Sequence, residues 1–199
     1  MTTHVRWAML VPALAVLPLM ACSRTEKAAT TAQSAVQAQM NPTLSTSDAT
    51  FINTAAAGGA AEVQFGQLAA QKGGTQAVRR FGQQMVDDHS KIDQELMQLA
   101  QQKKISPSTG MDATHQAAYD DLQKLRGRAF DRQYLQGQVQ DHEATVRAFE
   151  QEAQSGTDPD VKAFATRNLP TIQRHLDELQ KMSTGGHRAH RSSRQPING

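Results

Sequence analysis

Apolar side chains recur every three or four residues along most of this chain, which is the period of an α-helix. Four of these amphipathic patterns are long, and a shorter one covers residues 112–125. Each long pattern begins at a capping or turn signal: Ser47-Asp48, Thr75, Gly127 and Thr157-Asp158-Pro159. The pattern predicts helices and gives no sign of a β-strand.

The links inside each pair of long patterns are only a few residues, so the paired helices must run antiparallel. The short helix falls in the longer connection between the second and third long helices. The predicted fold class is therefore all-α, an antiparallel four-helix bundle with one extra short helix in the crossover. With a single cysteine in 199 residues, no internal disulfide can form, and packing alone must hold the fold.

The chain opens with features of an exported protein. The apolar stretch over 7–20 is too short to span a membrane and is typical of the core of a signal peptide. It ends in Leu19-Met20-Ala21-Cys22, which resembles a bacterial lipobox. We therefore predict a signal peptide over 1–21 and a lipid anchor on Cys22. Ser23 follows the cysteine, which by resemblance to other lipoproteins favours the periplasmic side of the outer membrane; a secreted periplasmic protein is the alternative.

Composition divides the remainder into three parts. Residues 22–46 are rich in Ala, Thr, Gln and Ser and are predicted to be a disordered tether. Residues 47–183 form the predicted bundle, and residues 184–199 a basic disordered tail with three arginines and no acid. The tail can contact an anionic surface or an envelope protein. Nothing in the chain resembles a nucleic-acid-binding module, so no such partner is expected.

The apolar face of each long helix is interrupted by one polar residue. These residues are Glu62, His89, His142 and His175. At a rise of about 1.5 Å per residue, their levels agree to within about two turns, so they are expected to meet in the middle of the bundle. Two interpretations follow, a structural polar network or a site for a metal or small ligand. Among the histidines that remain after removal of the signal peptide, His142 is expected to be the most buried.

Three further residues are candidates for a supporting role: Asp88, Asp131 and Tyr134. Asp131 and Tyr134 can add a ligand and a hydrogen bond, or can fix the start of the third long helix. Asp88 precedes His89 directly and can belong to the same polar cluster or face solvent.

Several motifs occur in an order that resembles the bacterial domain-of-unknown-function family numbered 4142. They are Phe51-Ile52-x3-Ala56, Glu62-Val63-x2-Gly66-x2-Ala69, Met85-Val86-x-Asp88-His89-Ser90-Lys91, Gly127-x2-Phe130-Asp131-Arg132-x-Tyr134, Asp141-His142 and Leu169-Pro170-x4-His175-Leu176. The resemblance covers about 48–182. It implies a ferritin-like bundle and an outer-membrane location, and it implies no activity.

One departure limits the comparison with ferritins. Di-iron bundles carry a Glu-x-x-His pair on each of two helices. Here the residues three before the histidines are Val86, Val139 and Ile172, which argues against ferroxidase activity. The sequence identifies no particular cofactor, but a single transition metal, Zn, Cu or Ni, suits a histidine-rich set. The leading expectation is a non-enzymatic envelope protein, structural, partner-binding or stress-related, and the alternative is a metal-binding or redox bundle.

Overall fold

A computed structural model of the chain describes residues 20–41 and 43–192. These residues form six helices: α1 Met20–Gln39, α2 Thr46–Lys72, α3 Gln76–Gln102, α4 Ala113–Gln123, α5 Gly127–Ser155 and α6 Pro159–Ser192. Within the described ranges there is no strand, only one isolated bridge between Gly73 and Gly127. The all-α prediction is confirmed.

The helix starts follow the capping chemistry of the sequence. Ser45 caps α2 in a reciprocal capping box with Asp48, two residues before the cap expected at Ser47. Thr75 caps α3 as expected, and Asp112 caps α4. The five helices predicted from apolar periodicity are therefore α2 to α6.

Each long helix has two antiparallel long neighbours. Helix α2 packs on α3, and it also lies beside α5, where Phe51 contacts Phe149 edge-on with ring centroids 4.9 Å apart. Helix α6 packs on α5 and lies beside α3. Helices α2 and α3 pack closely at Gly66 and Gly82, because a Cβ atom on either glycine would come within 2.7 Å of the other residue's carbonyl oxygen.

Two aspartates near the starts of helices tie the two hairpins together. Asp131 of α5 accepts hydrogen bonds from the backbone N–H groups of Gly74 (2.7 Å) and Thr75 (2.9 Å), at the turn between α2 and α3. Asp48 of α2 accepts from the backbone of Thr157 (2.9 Å) and Asp158 (3.2 Å), at the turn between α5 and α6. Each hairpin therefore supplies a carboxylate that accepts hydrogen bonds from backbone N–H groups at the turn of the other hairpin. These N–H groups stand at the start of a helix, where they have no partner within the helix.

The apolar core is divided into two clusters. One contains Phe51, Phe149 and Phe164, near the turn between α5 and α6. The other contains Phe81 and Phe130, near the turn between α2 and α3. The histidines predicted to be buried lie between the two clusters along α3, α5 and α6.

The prediction of a disordered tether over 22–46 is wrong for most of that segment, because α1 covers it as far as Gln39. Asn53 of α2 donates to the hydroxyl of buried Ser34 (3.1 Å) and to the side-chain oxygen of Gln37 (2.8 Å). These contacts are polar, so an apolar pattern could not reveal them, although Ala, Gln and Lys favour a helix.

The predicted disordered tail also needs correction, since α6 continues through Gly185 and Gly186 to Ser192. The signal-peptide prediction lies outside the described residues except for positions 20 and 21, as do residues 193–199 of the tail. Among the helices that the structure describes, none combines the length and the apolarity needed to cross a membrane.

The tie through Asp131 gives a stability prediction. Asp131→Ala leaves the N–H groups of Gly74 and Thr75 without their acceptor, and it should lower the free energy of unfolding by about 2 kcal/mol in urea denaturation. Asp177→Ala, at an exposed position of α6, is the control and should change it by less than about 0.5 kcal/mol. Equal effects of the two substitutions would contradict the structural role of Asp131.

Candidate metal centre

Three imidazole rings meet between the two apolar clusters. They belong to His89 of α3, His142 of α5 and His175 of α6, whose side chains are 4%, 1% and 0% exposed. Their ring centroids are 5.4 to 5.7 Å apart, and one ring nitrogen from each lies within 4.8 Å of the others. His142, which the sequence predicts to be the most buried histidine, is buried to the same extent as His175 within 1%.

Hydrogen bonds fix which nitrogen of two rings carries the proton. The Nδ1 atom of His142 lies 3.0 Å from the carbonyl oxygen of Gln138. The Nε2 atom of His175 lies 2.9 Å from Oδ2 of Asp88. A carbonyl or carboxylate oxygen can only accept, so both of these nitrogens donate. The opposite nitrogen of each ring therefore carries a free lone pair.

Each of the three rings keeps one buried nitrogen that has no hydrogen-bond partner among the described residues. These atoms are Nε2 of His89, Nε2 of His142 and Nδ1 of His175. Anchoring one ring nitrogen to an acceptor while the other stays free is the arrangement found around metal-binding histidines. In His142 and His175 the free nitrogen is the one opposite the anchored nitrogen.

Burial keeps the rings neutral. Desolvation is the largest cause in each case: it lowers the pKa of His142 to about 3 and the pKa of His89 well below its usual value. The neighbouring imidazoles lower both pKa values further. The pKa of His175 is also lowered by burial, although the Asp88 carboxylate opposes this. At neutral pH the site therefore offers three uncharged nitrogen donors.

Glu62, the fourth predicted site residue, borders the cluster but does not join it. Its Oε1 atom is 3.7 Å from Nδ1 of His142, which is the nitrogen committed to Gln138. Burial, with a smaller contribution from Asp141, raises the pKa of Glu62 to about 8. Because the His142 pKa is low and the Glu62 pKa is high, this contact joins two neutral groups and is not an ion pair at neutral pH.

The three supporting candidates have different places in the structure. Asp88 contacts His175 directly. Asp131 is not placed for a ligand role, because its two carboxylate oxygens bind the turn before α3. Tyr134 is buried and stacks on Phe130, with centroids 6.0 Å apart. Its hydroxyl lacks a partner among the described residues, and desolvation and the nearby Glu62 raise the pKa of Tyr134 well above its usual value.

Gln138, whose backbone carbonyl orients His142, was not among the residues predicted from the sequence. Every residue has a backbone carbonyl, so the contact between His142 and the carbonyl four residues before it does not depend on which residue stands there. No sequence pattern can therefore predict this contact. The Gln138 side chain is also buried, and its Oε1 atom has no partner among the described residues. Gln138 lies one helical turn before His142 in the sequence, but a glutamine at this position does not by itself indicate a functional role.

The donor set fits one transition-metal ion. Imidazole nitrogen suits Zn, Cu and Ni, and a zinc–nitrogen bond is about 2.0–2.1 Å long. Nitrogens that share a tetrahedral ion at this distance lie about 3.4 Å apart. The three ring nitrogens, which lie within 4.8 Å of one another, must therefore move closer to bind an ion together. The described cluster supplies no bridging carboxylate for a second ion.

A family model described as "Domain of unknown function (DUF4142)" matches residues 31–182. The chain belongs to this family. The DUF4142 match begins inside α1, earlier than the domain start expected at 47, which agrees with the packing of that helix on α2. No curated protein and no solved structure matches the chain.

The raised pKa of Glu62 predicts a pH-dependent stability difference. Between the unfolded pKa of 4.5 and the folded pKa of about 8, the folded protein holds one proton that the unfolded chain has released. The stability that Glu62 contributes is complete below about pH 4.5 and is lost as the pH rises to about 8. Relative to Glu62→Gln, the wild type should lose about 1.4 kcal/mol per pH unit in this range.

The measurement is urea denaturation of both proteins at several pH values. Taking the difference between them cancels the titration of groups other than Glu62. A difference that stays constant from pH 5 to pH 8 would show that Glu62 is ionised in the folded protein.

Proposed function

We propose that this DUF4142 protein is a non-enzymatic envelope lipoprotein whose helical bundle binds one transition-metal ion through His89, His142 and His175. The observation that supports metal binding is the meeting of three buried, neutral imidazoles, each with a nitrogen that no described residue uses. A buried polar atom without a partner costs about 1–3 kcal/mol. One bound ion satisfies all three atoms together.

The hydrogen bonds around the site favour this proposal over a purely structural network. In a structural network the rings would bind one another or nearby acceptors through both nitrogens. Here Gln138 binds one nitrogen of His142, and Asp88 binds one nitrogen of His175. The other nitrogen of each ring is buried and has no partner among the described residues. A structural and partner-binding role without metal is the second candidate, because the bonds to Gln138 and Asp88 orient two of the rings whether or not an ion is bound. The unused nitrogens are the feature that favours the metal over this alternative.

For the fold we propose a ferritin-like four-helix arrangement of α2, α3, α5 and α6. It is supported by the antiparallel contacts of each long helix with two others, and by the position of α4 in the one long connection. The absence of Glu-x-x-His pairs in the sequence separates this bundle from the di-iron members of that class.

For localisation we propose a lipid anchor on Cys22 and attachment to the periplasmic side of the outer membrane. The lipobox-like sequence before Cys22 and the serine after it support this. The positive charge of Arg188, Arg191 and Arg194, near the C-terminus, suits contact with anionic headgroups or an envelope partner.

Metal binding predicts stabilisation of the folded protein. An ion that binds only the folded state raises the free energy of unfolding by about 2.7 kcal/mol at a hundred times its dissociation constant. Thermal melting of the full chain should show this shift with at least one of Zn, Cu or Ni, and His89→Ala and His175→Ala should abolish it. The shift should persist at pH 6, because burial lowers the pKa of all three rings.

The matched control is the double variant His187→Ala/His190→Ala, which removes histidines outside the site and should keep the full shift. No shift with any of the metals, in a protein purified metal-free, would leave the structural and partner-binding role as the better account.

The lipid anchor is tested by Cys22→Ser. This substitution removes the thiol that would be acylated, so the protein should leave the membrane fraction for the soluble fraction on cell fractionation. Intact mass analysis of the mature wild type should show acyl chains. A wild-type mass without them, and a variant that stays in the membrane, would exclude the anchor.

A further inference from the structure

One end of the bundle is rich in positive charge. The turn between α2 and α3 meets the start of α5 there, because a Cβ atom on Gly74 would lie 2.7 Å from the backbone of Gly127. Residues 72–80 and 120–132 together contain seven lysines and arginines and three aspartates. We define the basic end by the five exposed arginines of these segments: Arg79, Arg80, Arg126, Arg128 and Arg132.

Most of this positive charge has no compensating partner. Arg79 donates to the carbonyl oxygen of Gly73 (2.6 Å), which carries no net charge. The guanidinium groups of the other four arginines make no ion pair or hydrogen bond with any described residue. Of the nearby carboxylates, Asp121 pairs with Lys124 (2.8 Å), and Asp131 binds backbone N–H groups of the α2–α3 turn. The basic end therefore presents uncompensated positive charge to its surroundings.

The other end of the bundle has the opposite balance of charge. Around the turn between α5 and α6, residues 46–52, 101–104 and 150–162 contain five acidic and three basic residues. There Lys103 lies 2.7 Å from both Asp158 and Asp160. The bundle is therefore asymmetric in charge along its axis, and a negatively charged surface attracts it with the basic end first.

The residue predicted to carry the lipid lies nearer the basic end than the acidic one. Helix α1 runs antiparallel to α2, and Ser34 of α1 is level with Asn53 of α2, which donates to it. Cys22 precedes Ser34 by twelve residues, about 18 Å along the helix axis, in the direction of the α2–α3 turn. Lys72 follows Asn53 by nineteen residues, about 28 Å, so Cys22 lies about 10 Å short of the level of Lys72.

Helix α6 also extends to the basic end. The rings of His89 and His175 are neighbours, so these two residues mark one level of the antiparallel helices α3 and α6. Gln76, the first residue of α3, precedes His89 by thirteen residues, and Arg188 follows His175 by thirteen residues. The last turns of α6 are therefore level with the start of α3, where the basic end lies.

We propose that the basic end docks on the anionic headgroups of the membrane that holds the lipid anchor. This inference rests on the proposed anchor on Cys22 and adds the face of the bundle that meets the membrane. Anionic headgroups suit this face because a guanidinium binds phosphate oxygens through two N–H groups, and each basic residue near an anionic surface strengthens attachment. The lipid alone holds the bundle near the membrane, whereas the charged end orients it.

The test compares a fluorescent label at each end of the acylated protein, purified from membranes and placed in vesicles. Gln76→Cys puts the label beside the basic end, Gln154→Cys puts it near the other end, and both positions are exposed. Because Cys22 is the only native cysteine and would carry the lipid, the introduced thiol alone reacts with the label. Nitroxide groups on the lipid headgroups quench the label only at short range.

The outcome expected from docking depends on lipid charge and on salt. In phosphatidylethanolamine vesicles with about a third phosphatidylglycerol, the Gln76→Cys label should be quenched at least about fivefold more than the Gln154→Cys label. In phosphatidylcholine vesicles the two should differ by less than about twofold. About 1 M NaCl should remove the difference in the anionic vesicles, because it shortens the Debye length to about 3 Å.

Two triple variants assign the docking to the basic end. Arg126→Gln/Arg128→Gln/Arg132→Gln should lower the equilibrium constant for docking at least about thirtyfold, since each basic residue near the surface contributes about fivefold. The matched control removes three exposed basic residues elsewhere on the bundle, by Lys91→Gln/Lys104→Gln/Arg147→Gln, and should change the constant less than about threefold. The lipid and salt comparisons use proteins with all their basic residues, so they test the proposal even if a triple variant does not fold.

Two results would overturn the docking and leave the anchor intact: equal quenching of the two labels in the anionic vesicles, or equal effects of the two triple variants. A protein mass without acyl chains would instead overturn the anchor, and co-sedimentation of the unlabelled protein with the same vesicles then decides the docking. Binding that the three arginine substitutions weaken and the control substitutions do not would support it. No binding to the anionic vesicles would overturn both proposals.

Discussion

The candidate metal centre depends on the burial of three imidazole rings between two apolar clusters. Desolvation forces these rings to be neutral, and neutral rings can approach one another without charge repulsion. The same desolvation leaves one nitrogen of each ring without a partner, which is a cost that a fully apolar layer would avoid. This unmet cost in a polar layer between two apolar clusters is the reason for proposing a bound ion there.

The helices hold this layer in register from both ends. Asp131 and Asp48 bind the turn of the opposite hairpin, so the two hairpins cannot slide along each other without losing four hydrogen bonds to backbone N–H groups. His142 lies on one hairpin with His175, and His89 lies on the other. The reciprocal ties therefore set the relative height of the residues that form the site.

The titratable groups around the site separate into an inner neutral set and an outer charged set. Glu62 and the three histidines are neutral at pH 7 because burial disfavours their charged forms. Asp88 and Arg174 lie further out, where solvent reaches them. An ion entering the centre would meet neutral donors first and a carboxylate only behind His175. This order distinguishes the centre from carboxylate-rich di-iron sites.

The sequence by itself determined the helices of the bundle and four of the residues around its polar layer. Apolar periodicity located α2 to α6, and capping residues located most of their starts, because both signals are local. The same apolar faces placed Glu62, His89, His142 and His175 at similar heights. The apolar pattern could not predict the exact orientation of each polar side chain. The rotation of a helix about its own axis decides whether such a residue points to the centre of the bundle or lies beside it.

Only the tertiary structure decided that three of those four residues share one centre while Glu62 stays beside it. It also decided that Asp131 serves a turn in the other hairpin, and that α1 packs on α2 through Ser34, Gln37 and Asn53. These contacts are polar and join residues far apart in the chain. The orientation of His142 depends on a backbone carbonyl that every residue possesses. No local pattern encodes such contacts, because their partners are set by how whole helices pack.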